Sequence, residues 1–288
     1  KNCTSLEEIK NIKSLEKIGV GCFEGCVSLK SFTLPDNVTA VPEKCFLGCS
    51  ALEEIEEHKN LKNVAKDAFS GTAWENAMPE GPLNFGRVLY SYKGAVKDVE
   101  IPKGVSLIED YAFIGCDTLE TLTLGYDVEE IGLYAFQNCV NLKTVNINDA
   151  LGVVSAGAFK GCVSLESMDF SESTLATIGY EAFSDCLALN EVKLCETISE
   201  IGDYAFQGTA IKTIAFDKNV NSVGANSFLN TKNYESFDVI AKNKEFTAID
   251  GVLFNKKATK LVSFPSAKLT NEEYALPDSV NEIGEKAF

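Results

Sequence analysis

Residues 131–147 read IGLYAFQNCVNLKTVNI, and residues 108–124 before them read IEDYAFIGCDTLETLTL. Both segments begin with Ile and have Ala-Phe four and five residues later, then Cys three residues after Phe and Leu three residues after Cys. Each ends in an alternation of apolar and polar residues. Self-similarity at a fixed spacing is the sign of a repeat architecture, and here the second copy begins 131 − 108 = 23 residues after the first.

The same pattern extends along almost the whole chain. The phenylalanines that follow Ala, Cys or Ser at this position are Phe23, Phe46, Phe69, Phe113, Phe136, Phe159, Phe183, Phe206, Phe228 and Phe288. Ile or Val stands five residues before each of them. Consecutive phenylalanines are 22 to 24 residues apart, except for gaps of 44 residues after Phe69 and 60 after Phe228. These two gaps indicate additional units of irregular length.

The apolar alternation at the end of each unit predicts a short strand with one buried face. Because equal connections carry the chain from one coil to the next, the strands are expected to be parallel and the superhelix right-handed. The segment around Ala-Phe has room for only one or two helical turns. We therefore expect an α/β repeat solenoid with one short strand and short helical turns in each coil of about 23 residues.

The repeat also sets the expected domain organisation. One solenoid of about twelve coils should cover residues 1–288, with irregular longer coils near 70–112 and 229–288. The chain starts within one unit and stops directly after Phe288, whereas solenoids normally end in polar caps. The sequence is therefore expected to be truncated at both ends.

The unit Ile-Gly-x-x-Ala-Phe-x-x-Cys-x-x-Leu-x-x-Leu-x-Leu resembles the BspA-type leucine-rich repeat, which is found in surface antigens of gut and oral bacteria and of some parasitic protists. Two irregular segments, 85–90 and 249–254, resemble a hairpin-like variant that this family also carries. The resemblance implies an extracellular or cell-surface protein that adheres to host proteins, to other cells or to glycans.

Composition narrows the range of partners. The chain has 26 Lys and Arg against 42 Asp and Glu, a formal charge of −16. This charge argues against nucleic acid and anionic membranes as partners. No run of 18 apolar residues occurs, so membrane insertion by this segment is not expected.

The ten cysteines repeat with the unit. Six of them, Cys26, Cys49, Cys116, Cys139, Cys162 and Cys186, occupy the slot after Phe, and Cys3 fits the same slot. Such cysteines are expected to be reduced and buried as small apolar side chains, although adjacent coils are close enough for occasional bridges. Cys22 and Cys45 replace an inward Ala, so a disulfide or a zinc site with Cys26 and Cys49 is a weaker alternative. Cys195 follows a strand and is expected to be partly exposed.

Catalytic or metal-binding chemistry has little support. His58 is the only histidine, and nothing marks it as the base that a nucleophile needs, so we expect a solvated surface side chain. Glu54 and Glu56 share one strand face and could hold a hard cation, but a solvated acidic face is the simpler interpretation. We expect no enzyme activity, no cofactor and no metal.

The strand period predicts a binding face. Residues beside the buried apolar positions must point outward, and in successive coils they would align in columns. These candidate ligand-binding residues are Thr121, Thr123, Thr144, Asn146, Ser167, Asp169, Glu191, Lys193 and Thr213. They suit a protein or glycan ligand, although Thr and Ser are also favoured simply as exposed strand residues. The alternatives to an interaction module are a targeting arm or a structural spacer of a larger surface protein or enzyme.

Overall fold

The alternating segment of nearly every coil forms a strand, and these strands stack in parallel as the front sheets of a solenoid. The computed structural model describes residues 1–58, 60–268 and 273–288. The front strands are β1 (Ser31–Thr33), β3 (Glu54–Glu56), β7 (Asp98–Glu100), β9 (Thr121–Thr123), β11 (Thr144–Asn146), β13 (Ser167–Asp169), β15 (Glu191–Lys193), β17 (Thr213–Phe216) and β19 (Ser236–Val239). The predicted repeat solenoid is confirmed, with about 11 turns.

Most coils contain a second strand that the sequence analysis did not anticipate. The Ile or Val five residues before the ladder phenylalanine ends a two-residue strand, and parallel pairing such as that of Ile131 with Val154 builds a back sheet. The back strands are β2 (Ala40–Val41), β4 (Asn63–Val64), β8 (Leu107–Ile108), β10 (Glu130–Ile131), β12 (Val153–Val154), β14 (Thr177–Ile178), β16 (Glu200–Ile201) and β18 (Ser222–Val223).

The corner around Ala-Phe is made of turns, where short helical turns were expected. Its backbone amides bond to the next coil: Phe113 N donates to Ala135 O, and Phe136 N donates to Ala158 O, both at 2.7 Å. Amides used in this way cannot form the i to i−4 bonds of a helix. Among the described residues, the one α-helix is α1 (Ala73–Ala77), which the Thr72 hydroxyl caps by accepting from Glu75 N at 3.0 Å.

The phenylalanines form a stacked ladder through the interior. Ring centroids of Phe113, Phe136 and Phe159 are 4.9 and 5.2 Å apart, and all three side chains are fully buried. The ladder continues where the sequence repeat is interrupted, because Tyr92 stacks on Phe113 at 5.1 Å and 6°. A tyrosine thus fills the step that the 44-residue gap leaves without a phenylalanine.

The slot cysteines have a specific bond as well as a buried position. The thiol of Cys139 donates to the carbonyl oxygen of Phe113 at 3.2 Å, one coil back, and Cys162 and Cys186 repeat this bond at 3.1 Å. Thr231 makes the same bond with its hydroxyl at 3.2 Å to the carbonyl of Phe206. All ten cysteines lie within the described ranges and are free.

Three expectations for individual cysteines were wrong, the first being that for Cys3, which is exposed. Cys195 is buried, because its thiol donates to Leu175 O at 3.2 Å in the turn of the preceding coil. Cys22 is exposed, whereas Cys45 in the equivalent slot is fully buried. The N-terminal ammonium of Lys1 donates to the Cys22 carbonyl oxygen at 3.0 Å, and the residue stays exposed.

We expect Cys3 and Cys22 to react with an aromatic disulfide reagent in the native protein, Cys22 the more slowly because partial burial raises the pKa of its thiol. The eight buried cysteines should react only on unfolding. Burial raises the pKa of Cys49 to about 11, so little of the reactive thiolate is present near neutral pH. Absorbance of the released thiol, with and without denaturant, gives both counts. Rapid reaction of more than two thiols in the native state would contradict the buried assignment.

Two irregular regions interrupt the regular coils. The first is an antiparallel hairpin of β5 (Gly81–Phe85) and β6 (Val88–Lys93). The second contains β20 (Phe246–Ile249), β21 (Val252–Asn255), β22 (Lys260–Ser263), a 3-10 turn at Ser266–Lys268 and β23 (Glu282–Ile283). In both regions one hairpin strand acts as a back strand, since β6 pairs in parallel with β8 and β22 with β23.

Candidate ligand-binding face

The front strands place all nine predicted site residues on the outer surface of the solenoid. Parallel register sets Thr144 beside Thr121 and Asn146 beside Thr123. It likewise pairs Ser167 with Glu191 and Asp169 with Lys193, and Thr213 begins β17 on the same surface. Between them, the side chains of Leu122, Val145, Met168, Val192 and Ile214 are buried. The nine residues therefore belong to one face, here called the front face, and their part in binding stays a prediction.

Neighbouring coils contact each other across this face. Asn146 Nδ2 donates to Thr123 Oγ1 at 2.9 Å, and Lys193 Nζ lies 3.0 Å from Asp169 Oδ2. Hydrogen bonds from Ser171 and from the Lys193 ammonium hold the pKa of Asp169 below its ordinary value. The groups are exposed, so these contacts add little stability and leave the side chains free to exchange partners.

A charged column beside the front strands was missed by the sequence analysis. Lys97 Nζ lies 3.1 Å from Glu120 Oε1, and Lys143 Nζ lies 3.4 Å from Glu120 Oε2. Hydrogen bonds from Lys97 and Lys143 lower the pKa of Glu120. The signal was present in the sequence as Lys, Glu and Lys at steps of 23 residues, one position before each strand.

The residues considered for chemistry do not assemble into a catalytic or metal centre. His58 is half-buried, contrary to the solvated position expected, and its Nδ1 accepts from Asn60 N at 3.2 Å. Glu56 Oε2 accepts from Thr33 Oγ1 at 2.8 Å, so one of the two paired glutamates is engaged within the sheet. Within the described ranges, no group of three or more His, Cys, Asp or Glu side chains converges as a metal ion would require.

The coil length, the interior ladder and the outward polar columns define the class of protein, a leucine-rich repeat solenoid. Residues 1–80, 84–176 and 152–288 match the BspA type leucine rich repeat region in six copies. The chain belongs to this family, whose members are generally non-enzymatic binding modules. Of the residues that the structure describes, none forms a helix both long and apolar enough to cross a bilayer.

Solved structures of bacterial proteins have the same architecture. A leucine rich cell surface protein from Faecalibacterium prausnitzii is 28% identical with a TM-score of 0.54, over 61% of this chain and 47% of that one. A leucine-rich repeat protein from Bacteroides ovatus is 23% identical with a TM-score of 0.54, over 94% and 67%. The pneumococcal vaccine antigen PcpA is 22% identical with a TM-score of 0.57, over 70% and 57%. The last two likenesses concern the fold alone.

The chain spans about half the length of the Faecalibacterium protein. A separate comparison with curated proteins found no significant match.

Proposed function

We propose that this chain is a non-catalytic interaction module, secreted or displayed at a bacterial cell surface, that binds a protein or glycan ligand of host or neighbouring cells through the front face. One observation carries the proposal. Polar side chains in register project from successive front strands, while the fold is held by the buried residues between them. Recognition over several coils is the usual way in which solenoids use their extended surfaces.

The cell-surface part of the proposal is supported by family membership and by the Faecalibacterium neighbour, which is a cell surface protein. The chemistry of the front face supports the choice of ligand. Thr, Asn and Ser offer both donors and acceptors, and the Asp169 and Lys193 pair offers both charges. Such a surface suits a polar ligand that carries hydrogen-bonding groups of both kinds.

A structural spacer is the second candidate, and a specific observation favours it. Several front-face groups already satisfy one another, as Asn146 does with Thr123 and Lys193 with Asp169. A surface whose polar groups are paired internally needs no ligand. The two functions differ in whether changes on the front face alter binding to cells.

We expect the combined variant Thr144→Arg, Asn146→Arg, Asp169→Lys and Lys193→Glu to bind cultured epithelial cells at least about tenfold more weakly than the wild type. Arginine at two central positions adds bulk, and the charge swap reverses the field that the ligand meets. Flow cytometry with the fluorescent chain over a concentration series measures the affinity, and thermal melting checks that the fold is intact.

The matched control is Lys103→Glu with Glu172→Lys, which swaps one exposed pair of opposite charges in the turns outside the front strands. This control should bind as the wild type does. Equal binding by both variants and the wild type would contradict the front-face assignment, and absence of any binding would favour the spacer.

A further inference from the structure

The back sheet is interrupted between β4 and the hairpin strand β6, which takes the next back-strand position. The hairpin strand β6 pairs with β8, whereas β4 belongs to a separate two-stranded sheet with β2. The carboxylate of Glu109 spans the break: Oε1 accepts from Asn63 Nδ2 at 2.9 Å, and Oε2 accepts from Val64 N at 3.2 Å. Lys66 Nζ also donates across the break, to Tyr111 O at 3.0 Å, so side chains join the two sides where other coils have a backbone ladder.

A cleft of about 790 Å³ lies at this break, which is within the range of small-ligand sites, about 300–1,000 Å³. Ten of its lining residues carry polar or charged side chains. The lining consists of Val20, Pro42, Glu43, Lys44, Asn63, Ala65, Lys66, Asp67, Ser70, Ser91, Glu109, Asp110 and Tyr111. None of the nine front-face residues is among them, so the cleft, here called the hairpin cleft, is a separate surface.

Tyr111 forms an aromatic wall of the hairpin cleft. The ring of Tyr134 stacks on it at 5.6 Å and 11°, so one ring face is covered. Tyr111 is nevertheless 42% exposed, and it lines the cleft. The ring therefore presents an open face to a polar cleft.

The backbone of Tyr111 has the left-handed conformation of its repeat slot, with a φ of +60°. The same slot holds glycine at Gly21 and Gly157, but it also holds Tyr134 and Tyr204, with φ of +52° and +59°. The conformation is therefore a property of the repeat, and glycine at position 111 can adopt it without strain.

The side chains that line the hairpin cleft favour some classes of ligand over others. Four carboxylates against two ammonium groups disfavour anions such as phosphates and nucleic acids. Few apolar side chains disfavour lipids. An open aromatic face beside carboxylate, amide and hydroxyl groups suits a sugar, whose C–H face lies on the ring while its hydroxyls donate to the carboxylates.

We propose that the hairpin cleft is a second binding site, distinct from the front face, and that it takes a segment of a neutral oligosaccharide stacked on Tyr111. Asp67 and Asp110 line the cleft from different coils. One oxygen of each accepts from a backbone amide, and the second oxygen of each is the acceptor offered to the sugar. Glu109 holds the two coils at the required separation through its bonds to Asn63 and Val64 and is a positioning residue.

The test is titration of the purified chain with maltotetraose, cellotetraose, mannotetraose and chitotetraose, followed by saturation-transfer NMR and calorimetry. We expect the wild type to bind at least one of them. Tyr111→Gly should weaken that binding by about tenfold or more, because the stacking platform is lost. Glycine suits the left-handed backbone, so this variant keeps its fold, and Tyr111→Phe should retain most of the affinity.

The control is Tyr126→Ala, which removes a tyrosine that is 84% exposed outside the cleft and should leave binding unchanged. The front-face variant should also bind the oligosaccharide normally, which separates this proposal from the preceding one. The proposal is overturned if none of the four sugars binds at millimolar concentration, or if Tyr111→Gly binds like the wild type. It is equally overturned if Tyr111→Gly abolishes binding to cells while no sugar binds, since the cleft would then take a protein.

Discussion

Replacing Phe136 with alanine should lower the free energy of unfolding by about 3–5 kcal/mol. Its side chain is fully buried between Phe113 and Phe159, with ring centroids 4.9 and 5.2 Å away. The neighbouring rings cannot close the space, because bonds such as Phe136 N to Ala158 O at 2.7 Å fix the separation of the coils. The variant therefore loses both the burial of the ring and the contacts around the resulting cavity. Urea unfolding measures the change.

The matched control is Phe288→Ala, which removes another stacked phenylalanine. Phe288 stacks on Phe264 at 5.1 Å but is 58% exposed, so its removal should cost about 1 kcal/mol or less. Similar losses for both variants would show that the interior phenylalanines do not hold the coils together.

Glu109→Ala should lower the free energy of unfolding by about 2–3 kcal/mol. The alanine leaves the buried Val64 N–H and the Asn63 amide without the acceptors that now join the coils at the break in the back sheet. Glu109→Gln keeps an acceptor for Val64 and should lose much less. Denaturation of the three proteins side by side separates the hydrogen bonds from the charge.

The pH dependence of Glu109 has a definite sign. Burial raises the pKa of Glu109 above its ordinary value of 4.5, so the folded state binds the proton more tightly than the unfolded state. Its contribution to stability is therefore fully present below pH 4.5 and declines as the pH rises through the folded pKa. Relative to Glu109→Gln, the wild type should become less stable over this window. An unchanged difference between the two proteins would contradict a buried carboxylate.

The features that repeat could be predicted from the sequence. The phenylalanine ladder, the front strands and the buried slot cysteines all depend on side chains whose type recurs at a fixed spacing. The back strands were missed because two residues, such as Glu130 and Ile131, are too few to show a period. The prediction of short helical turns was wrong because hydrogen bonds between coils, such as Phe136 N to Ala158 O, use the amides that a helix needs.

Features that occur once were beyond prediction for a related reason. Tyr92 stands one 23-residue repeat step after Phe69, but it lies in a hairpin strand and Arg87 occupies the position that Ile or Val has in other units. Glu109 occupies a slot that other coils fill with Gly132 or Gly202, and its role depends on a gap in the back sheet. The hairpin cleft lies where the back sheet is interrupted beside the hairpin, so no local signal in the sequence indicated it.

Lysine acetylation of the chain bound to epithelial cells, compared with the free chain by mass spectrometry, tests the binding face most directly. Lys143, Lys193 and Lys212 lie exposed on or beside the front strands, whereas Lys103 and Lys218 lie exposed in the turns that lead to the back strands. The front-face proposal predicts that binding protects the first three lysines and leaves the other two fully labelled. Protection of Lys103 and Lys218, with Lys143, Lys193 and Lys212 still labelled, would contradict it.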